Sequence, residues 1–163
     1  MHFCFEPMNA AEAEKLTRWH YQPPYQMYNI TSNETLIRSF VDPENAYYSI
    51  LDNGELVGFC CFGKEAQVPG GNYGKDSLDI GLGVRPDLTS QGRGQMYIAD
   101  VLNFARSKFN PILFRITVAA FNERALKAWK KAGFQPVQLF QALDNKELFI
   151  ILVRHISVDR KLW

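Results

Sequence analysis

Apolar and polar positions along this chain alternate in short bursts, separated by stretches with helical spacing. Residues 2–6 read as a short strand. Asn9-Ala10-Ala11-Glu12 then places an N-cap and an acid at N3, which predicts a helix to about His20. Trp19 to Tyr28 is a Pro-punctuated aromatic loop. A second short helix follows Ser32 and carries Leu36, Ile37, Phe40 and Val41. Tyr47–Leu51 and Leu56–Phe62 flank Asp52-Asn53-Gly54-Glu55, and Asn-Gly between two apolar runs is the strongest short hairpin signal. Gln67 to Lys75 reads as a Gly-rich flexible loop, and Leu78–Val84 as a strand stopped by Pro86. Ile98, Leu102, Ala105 and Phe109 then recur on one helical face. Leu113–Ala119 is a β-branched strand. Asn122 caps a further helix, with Phe121 and Leu126 at the staple positions and Gly133 as its left-handed stop. Residues 134–141 and 147–155 close the pattern around a turn at Asp144-Asn145. The order β-α-α-β-β-β-α-β-α-β-β predicts an α/β (α+β) mixed sheet with helices on its faces, in a single domain over 1–163.

Composition narrows the class. Apolar residues make up 47% and charged residues 21% of a 163-residue chain, which is the balance of a soluble globular domain. A net charge of +1 with no run of like charge gives no footprint for nucleic acid, so none is expected as a partner. Cys4, Cys60 and Cys61 are an odd number and include two neighbours on one strand. They suit a reducing, cytoplasmic setting better than a disulfide framework, and Cys60 and Cys61 are read as core rather than nucleophiles. The opening Met1-His2-Phe3-Cys4-Phe5-Glu6 has neither the basic segment nor the apolar run of a secretory leader, and no stretch is a candidate membrane span.

The chemistry concentrates at two places. Gln91-Gly92-Arg93-Gly94-Gln95-Met96 lies between a strand and an amphipathic helix. Glycines there let backbone N–H groups approach a phosphate, and the helix N-terminus adds partial positive charge. Asn122, Ala125 and Trp129 fall at i, i+3 and i+7, on one face of the later helix. Other motifs are incomplete. Gly-Gly-Asn-Tyr-Gly-Lys over 70–75 follows a Pro and precedes Asp76, so it is no P-loop, and no third glycine completes a dinucleotide fingerprint. His2, His20 and His155 have no ligand spacing, and no metal is expected.

Taken together, the Gly92/Gly94 turn and Asn122 through Gly133-Phe134 resemble the signatures of the GNAT superfamily of acyl-CoA-dependent N-acyltransferases, over roughly 78–135. That resemblance implies a GNAT-like fold and transfer of an acetyl group from acetyl-CoA to a primary amine by direct attack in a ternary complex. The pyrophosphate would lie on Gln91, Gly92, Arg93, Gly94, Gln95 and Met96. Pantetheine would run along Leu82, Gly83 and Val84, whose backbone groups would polarise the thioester carbonyl, with Asn122 and Trp129 on the other side. Met96 stands where the family has Gly or Ala, and Trp129 where it often has a Tyr acid; an indole cannot fill that role. A CoA thiol, with a pKa of about 8.5, leaves tolerably without one. Asp79 matches an acidic position that some members use as a base, although a free Asp at about 3.9 is a weak one; the other reading is a strand-end Asp that makes a structural hydrogen bond. Tyr21, Tyr25 and Tyr28 fall where the family places acceptor-recognising loops. The expected partners are acetyl-CoA and an amine acceptor, with no nucleic acid and no membrane, and the expected state is monomer or homodimer. A non-catalytic acyl-CoA-binding sensor is the alternative.

Overall fold

A computed structural model describes residues 2–74 and 76–156. The single-domain expectation over 1–163 therefore includes positions outside the described residues. The strands are β1 (Cys4–Pro7), β2 (Tyr47–Asp52), β3 (Glu55–Phe62), β4 (Leu78–Val84), β5 (Leu113–Ala119), β6 (Gln135–Gln141) and β7 (Leu148–His155). The α-helices are α1 (Ala10–Leu16), α2 (Glu34–Val41), α3 (Gly94–Phe109) and α4 (Glu123–Lys131). One seven-stranded sheet runs β1-β2-β3-β4-β5-β7-β6. Every neighbouring pair is antiparallel except β4 with β5.

The element order is the one that the apolar pattern predicts. Asn53 and Gly54 both take positive φ (50° and 82°), the combination that a tight right-twisted hairpin requires and that Asn-Gly supplies. The principal core lies between the sheet and α3/α4. Ile80, Phe114, Ile116 and Leu152 on the strands meet Ile98, Val101, Leu102 and Ala105 of α3 and Leu126 and Trp129 of α4. On the opposite face, α1 and α2 bury Ala13, Leu16 and Phe40 against Leu56, with Trp19, Ile30 and Phe59 packed around them. Both faces are covered, so Cys60 and Cys61, though pointing oppositely, are both buried. Burial pushes the Cys61 thiol up to about 12 and that of Cys60 well above its ordinary value, so neither is a thiolate at neutral pH.

Some boundaries differ from expectation. The first strand is displaced toward Pro7. Helix α1 ends at Leu16, not His20: Thr17, Arg18 and Trp19 bond back to the carbonyls three residues earlier, which overtightens and terminates the helix. Asn33, not Ser32, caps α2, its side chain accepting the Leu36 N–H. Phe109 is the last residue of α3, before the left-handed cap at Asn110, and is 37% exposed, its ring resting on Phe62. The deeper positions of α3 also include Tyr97 and Asp100, whose carboxylate accepts the N–H groups of His2 and Phe3 at 2.6 and 2.8 Å. The Gly-rich segment after Gln67 is a packed loop. Tyr73 accepts the Val68 N–H and pairs with the Thr117 hydroxyl at 2.8 Å, beside a small core of Phe140, Phe149 and Ile151.

Candidate active site

The site originates in a defect of the sheet. Strands β4 and β5 pair only at Leu78/Phe114, Asp79/Arg115 and Ile80/Ile116, then diverge. A cleft of about 530 Å³ opens between them. Arg85 N–H bonds to Val57 and Gly63 N–H bonds to the Asp79 carbonyl, which turns the odd-numbered residues of β4 toward β3. By the alternation of a strand, the backbone groups of Leu82 and Val84 face the cleft. The Val84 carbonyl accepts a 2.7 Å bond from the Tyr21 hydroxyl. The Leu82 and Val84 N–H groups meet no acceptor among the described residues. A Cβ on Gly83 would lie 2.2 Å from the Phe59 ring, so any larger residue there obliges that ring to move.

Where the cleft meets the start of α3, Ser90 and Gly92 take positive φ (59° and 74°) and turn the chain sharply into the helix. The N-cap residue Arg93 offers no side-chain cap. The amides of Gly92, Arg93, Gly94 and Gln95 have no acceptor among the described residues, leaving a row of donors at the positive end of a 16-residue helix. Nothing lies within 4 Å of a Cβ built on Gly92 or Gly94, so the space in front of these amides is open. Arg93, Arg124, Lys127 and Lys131 line this end of the cleft. Arg124 donates to the Ser90 hydroxyl at 2.6 Å and lies 4.2 Å from the centre of the Tyr25 ring, tying α4 to both loops. A row of free amides at a helix start, beside cationic side chains, is chemistry that suits an anion.

Most residues singled out from sequence gather around the cleft. Leu82, Gly83, Val84, Gln91, Gly92, Arg93, Gly94, Gln95, Asn122, Trp129, Tyr21 and Tyr28 line it. The Gln91 and Gln95 amides are spent on the carbonyls of Asp87 and Ala128 and act as braces. Met96 does not line the cleft: it packs against the principal core, where its thioether fills space behind the turn. Tyr25 also stands outside, stacked among Tyr28, Phe121 and Arg124. Phe121 thus serves the aromatic loop as well as the start of α4. Trp129 is buried and meets Phe134 edge-on at 5.0 Å. Asn122 uses both ends of its amide: Oδ1 accepts the Ala125 N–H, capping α4, and Nδ2 donates to the Tyr28 hydroxyl at 3.0 Å. Burial raises the pKa of Tyr28 above 10, a shift that the Asn122 bond partly offsets. Burial likewise raises Tyr21, to about 12, so both phenols keep their protons.

Of the two readings of Asp79, its surroundings accord with the structural one. The residue is 3% exposed and is not among those that line the cleft. Arg115 Nε and Nη2 grip its two carboxylate oxygens at 2.6 and 2.7 Å, and Gln67 adds a 2.8 Å bond. Hydrogen bonding to Asp79 in turn raises the pKa of Arg115 above the ordinary arginine value. Three hydrogen bonds from Arg115 and Gln67 thus hold the carboxylate away from the cleft lining.

Sequence reasoning passed over Arg124, Trp19, Ile30 and Phe59, which also line the cleft. A cation in the first turn of α4, against the helix dipole, was a readable signal for Arg124. Trp19 shared the signal of its aromatic loop, and Ile30 and Phe59 carried none, since isolated apolar residues are ordinary core.

The pattern of the Acetyltransferase (GNAT) family matches residues 13–134. The chain belongs to that family. It is therefore an acyltransferase. A search of the curated proteins gave no match. Among solved structures, a spermidine N-acetyltransferase SpeG chimera from Vibrio cholerae and hSSAT superposes with a TM-score of 0.71 at 14% identity, covering 95% of this chain and 96% of that one. Campylobacter jejuni N-acetyltransferase PseH in complex with acetyl coenzyme A gives 0.66 at 18%, covering 95% and 99%. Salmonella typhimurium yncA, a putative acetyltransferase with its cofactor acetyl-CoA, gives 0.64 at 11%, covering 96% and 95%. At these identities the likeness is one of fold. Among the described residues, no helix of this GNAT protein is long and apolar enough to cross a membrane.

Proposed function

We propose that this GNAT protein transfers the acetyl group of acetyl-CoA to a primary amine by direct attack within a ternary complex. The observation that carries the reading is the open row of unpaired amides at Gly92–Gln95, continuous with the unpaired N–H groups of Leu82 and Val84 in the splay. The first group suits the diphosphate; the second suits an extended pantetheine arm, added like a strand, and the carbonyl oxygen of the thioester. Asn122 and Trp129 close the opposite wall. Three free cysteines accord with a cytoplasmic setting.

In this mechanism the ammonium first gives a proton to water. The neutral amine nitrogen then bonds to the thioester carbon while the Leu82 and Val84 amides hold the developing oxyanion. The carbon–sulfur bond breaks, and the sulfur takes a proton from the Tyr28 hydroxyl. Tyr28 recovers that proton, through solvent, from the nitrogen that has become an amide. Two features support Tyr28 as the donor. Its oxygen accepts from Asn122, which leaves its own hydrogen free, whereas Tyr21 already donates to Val84. Tyr28 also supplies a phenol on the cleft wall where Trp129 cannot act as an acid. Holding both substrates in line supplies much of the acceleration.

Gly94→Asp tests the donor site cleanly. The side chain meets open space and an acid favours a helix N-terminus, so stability is expected to hold or rise. A carboxylate about 5 Å from a phosphate charge costs about 3 kcal/mol at an effective dielectric of about 20, which corresponds to an acetyl-CoA affinity roughly 100-fold weaker by calorimetry. Unchanged affinity would remove the diphosphate from this turn. Tyr28→Phe is expected to lower kcat roughly 10- to 100-fold with acetyl-CoA affinity retained; an unaltered kcat would exclude Tyr28 as the proton donor. Tight binding without thiol release on any amine would identify a sensor instead.

A further inference from the structure

The end of the cleft away from the diphosphate turn has a distinct chemistry. Leu16, Trp19, Tyr21, Tyr28, Ile30 and Phe59 line it, drawn from α1, the loop after it and β3. Its rings sit at mutual angles: Trp19 and Phe59 are 6.2 Å apart and tilted, and Tyr21 and Tyr28 are 6.1 Å apart and edge-on. Among the described residues that line the whole cleft there is no Asp and no Glu. The charged side chains are all cationic, Arg93, Arg124, Lys127 and Lys131, on the diphosphate turn and α4.

Resting on the acetyl-transfer reading above, we propose that the acceptor is a primary amine on an uncharged, ring-bearing apolar body, a monoamine of the aralkyl type. A flat apolar body gains by leaving water for these rings. The single amino group is directed toward the Leu82–Val84 edge, where it becomes a neutral amide. A second ammonium, as in a polyamine, would enter a compartment lined by no carboxylate and would keep an unpaired buried charge through the reaction. This preference is opposite to what the name of the structurally similar spermidine enzyme says of that protein.

The test follows free thiol release with acetyl-CoA and, in turn, 2-phenylethylamine, tryptamine, putrescine and spermidine, alongside calorimetry of acetyl-CoA alone. The ring-bearing monoamines are expected to exceed both polyamines in kcat/KM by at least about 100-fold, the scale of an uncompensated charge in an apolar site. Trp19→Ala should raise KM for 2-phenylethylamine about tenfold with acetyl-CoA affinity unchanged. Ile30→Glu, which supplies the missing counter-charge, should shift the ratio toward putrescine. Polyamines turned over as well as or better than the monoamines would overturn the inference. So would acetyl-CoA binding with both ring-bearing amines inert, and the transferase reading would survive that result. Absence of acetyl-CoA binding would take down the transferase reading and this inference together.

Discussion

Replacing Asp79 by Asn separates two roles that one residue could play. The carboxylate is 3% exposed, and Arg115 holds both of its oxygens within 2.7 Å. The side chains of the pair are only 6% and 5% exposed, so water does not screen them. Asn is nearly isosteric and keeps one acceptor oxygen, but it leaves the Arg115 guanidinium buried without a counter-charge. Breaking such a pair from one side costs about 3–5 kcal/mol, and the retained acceptor places Asp79→Asn at about 3. For a chain of this length that corresponds to a Tm lower by roughly 6–12 °C. Urea unfolding followed by tryptophan fluorescence reads the loss. Initial rates, taken at a temperature where the variant stays folded, should change less than about threefold, because the pair touches no cleft atom. A second variant guards against ambiguity. Asp79→Leu combined with Arg115→Met removes both charges and should recover most of the lost stability. If kcat instead collapses in a variant with unaltered stability, Asp79 is a base after all and the ion pair is a resting state that opens during turnover.

Gly83→Ala should cost about 1–3 kcal/mol and weaken acceptor binding, because the new methyl group displaces the Phe59 ring into the cleft; a thermal melt and KM measured together check it, and a silent variant would mean that the ring can yield freely. Burial raises the pKa of Tyr21, Tyr28, Tyr47 and Tyr97, with Tyr21 at about 12. Between about 10 and 12 the unfolded chain therefore loses phenolic protons that the native state keeps, so stability is full below about 10 and falls as pH rises through this window. Absorbance at 295 nm should show these phenolates appearing later in the folded protein than in denaturant, and coincident titrations would count against the packing described.

Local physics made much of the fold legible. The Asn53-Gly54 turn, the Asn122 cap and the spacing of Ile98, Leu102 and Ala105 each depend on a few neighbouring residues, and each stands where its pattern predicted. The tight turn into α3 was legible for the same reason, since glycines and a helix start are local features. What escaped is non-local. Asp79 meets Arg115 across 36 positions, and nothing beside Asp79 in sequence announces that partner. Tyr28 reaches Asn122 across 94 positions, so the idea that a loop phenol stands near the α4 cap could come only from the folded chain. The end of α1 was misjudged because helix propensity continues past Leu16, while the tightened turn at Thr17 and the docking of Trp19 against Phe59 bend the chain away. Phe109 keeps its contact with Phe62 but, as the last residue of α3, is covered on one side only, which periodicity does not reveal.

The short parallel seam between β4 and β5 divides the sheet into two plates, β1 through β4 and β5, β7 and β6, hydrogen-bonded to each other along three residue pairs and otherwise joined through the shared core beneath α3 and α4. A molecule threaded through the gap would act as a missing rung, bonding to one plate and wedged against the other. Occupancy would thus bind the halves more firmly than the polypeptide does alone, and the resistance of the whole sheet to opening would track how much of the gap is filled.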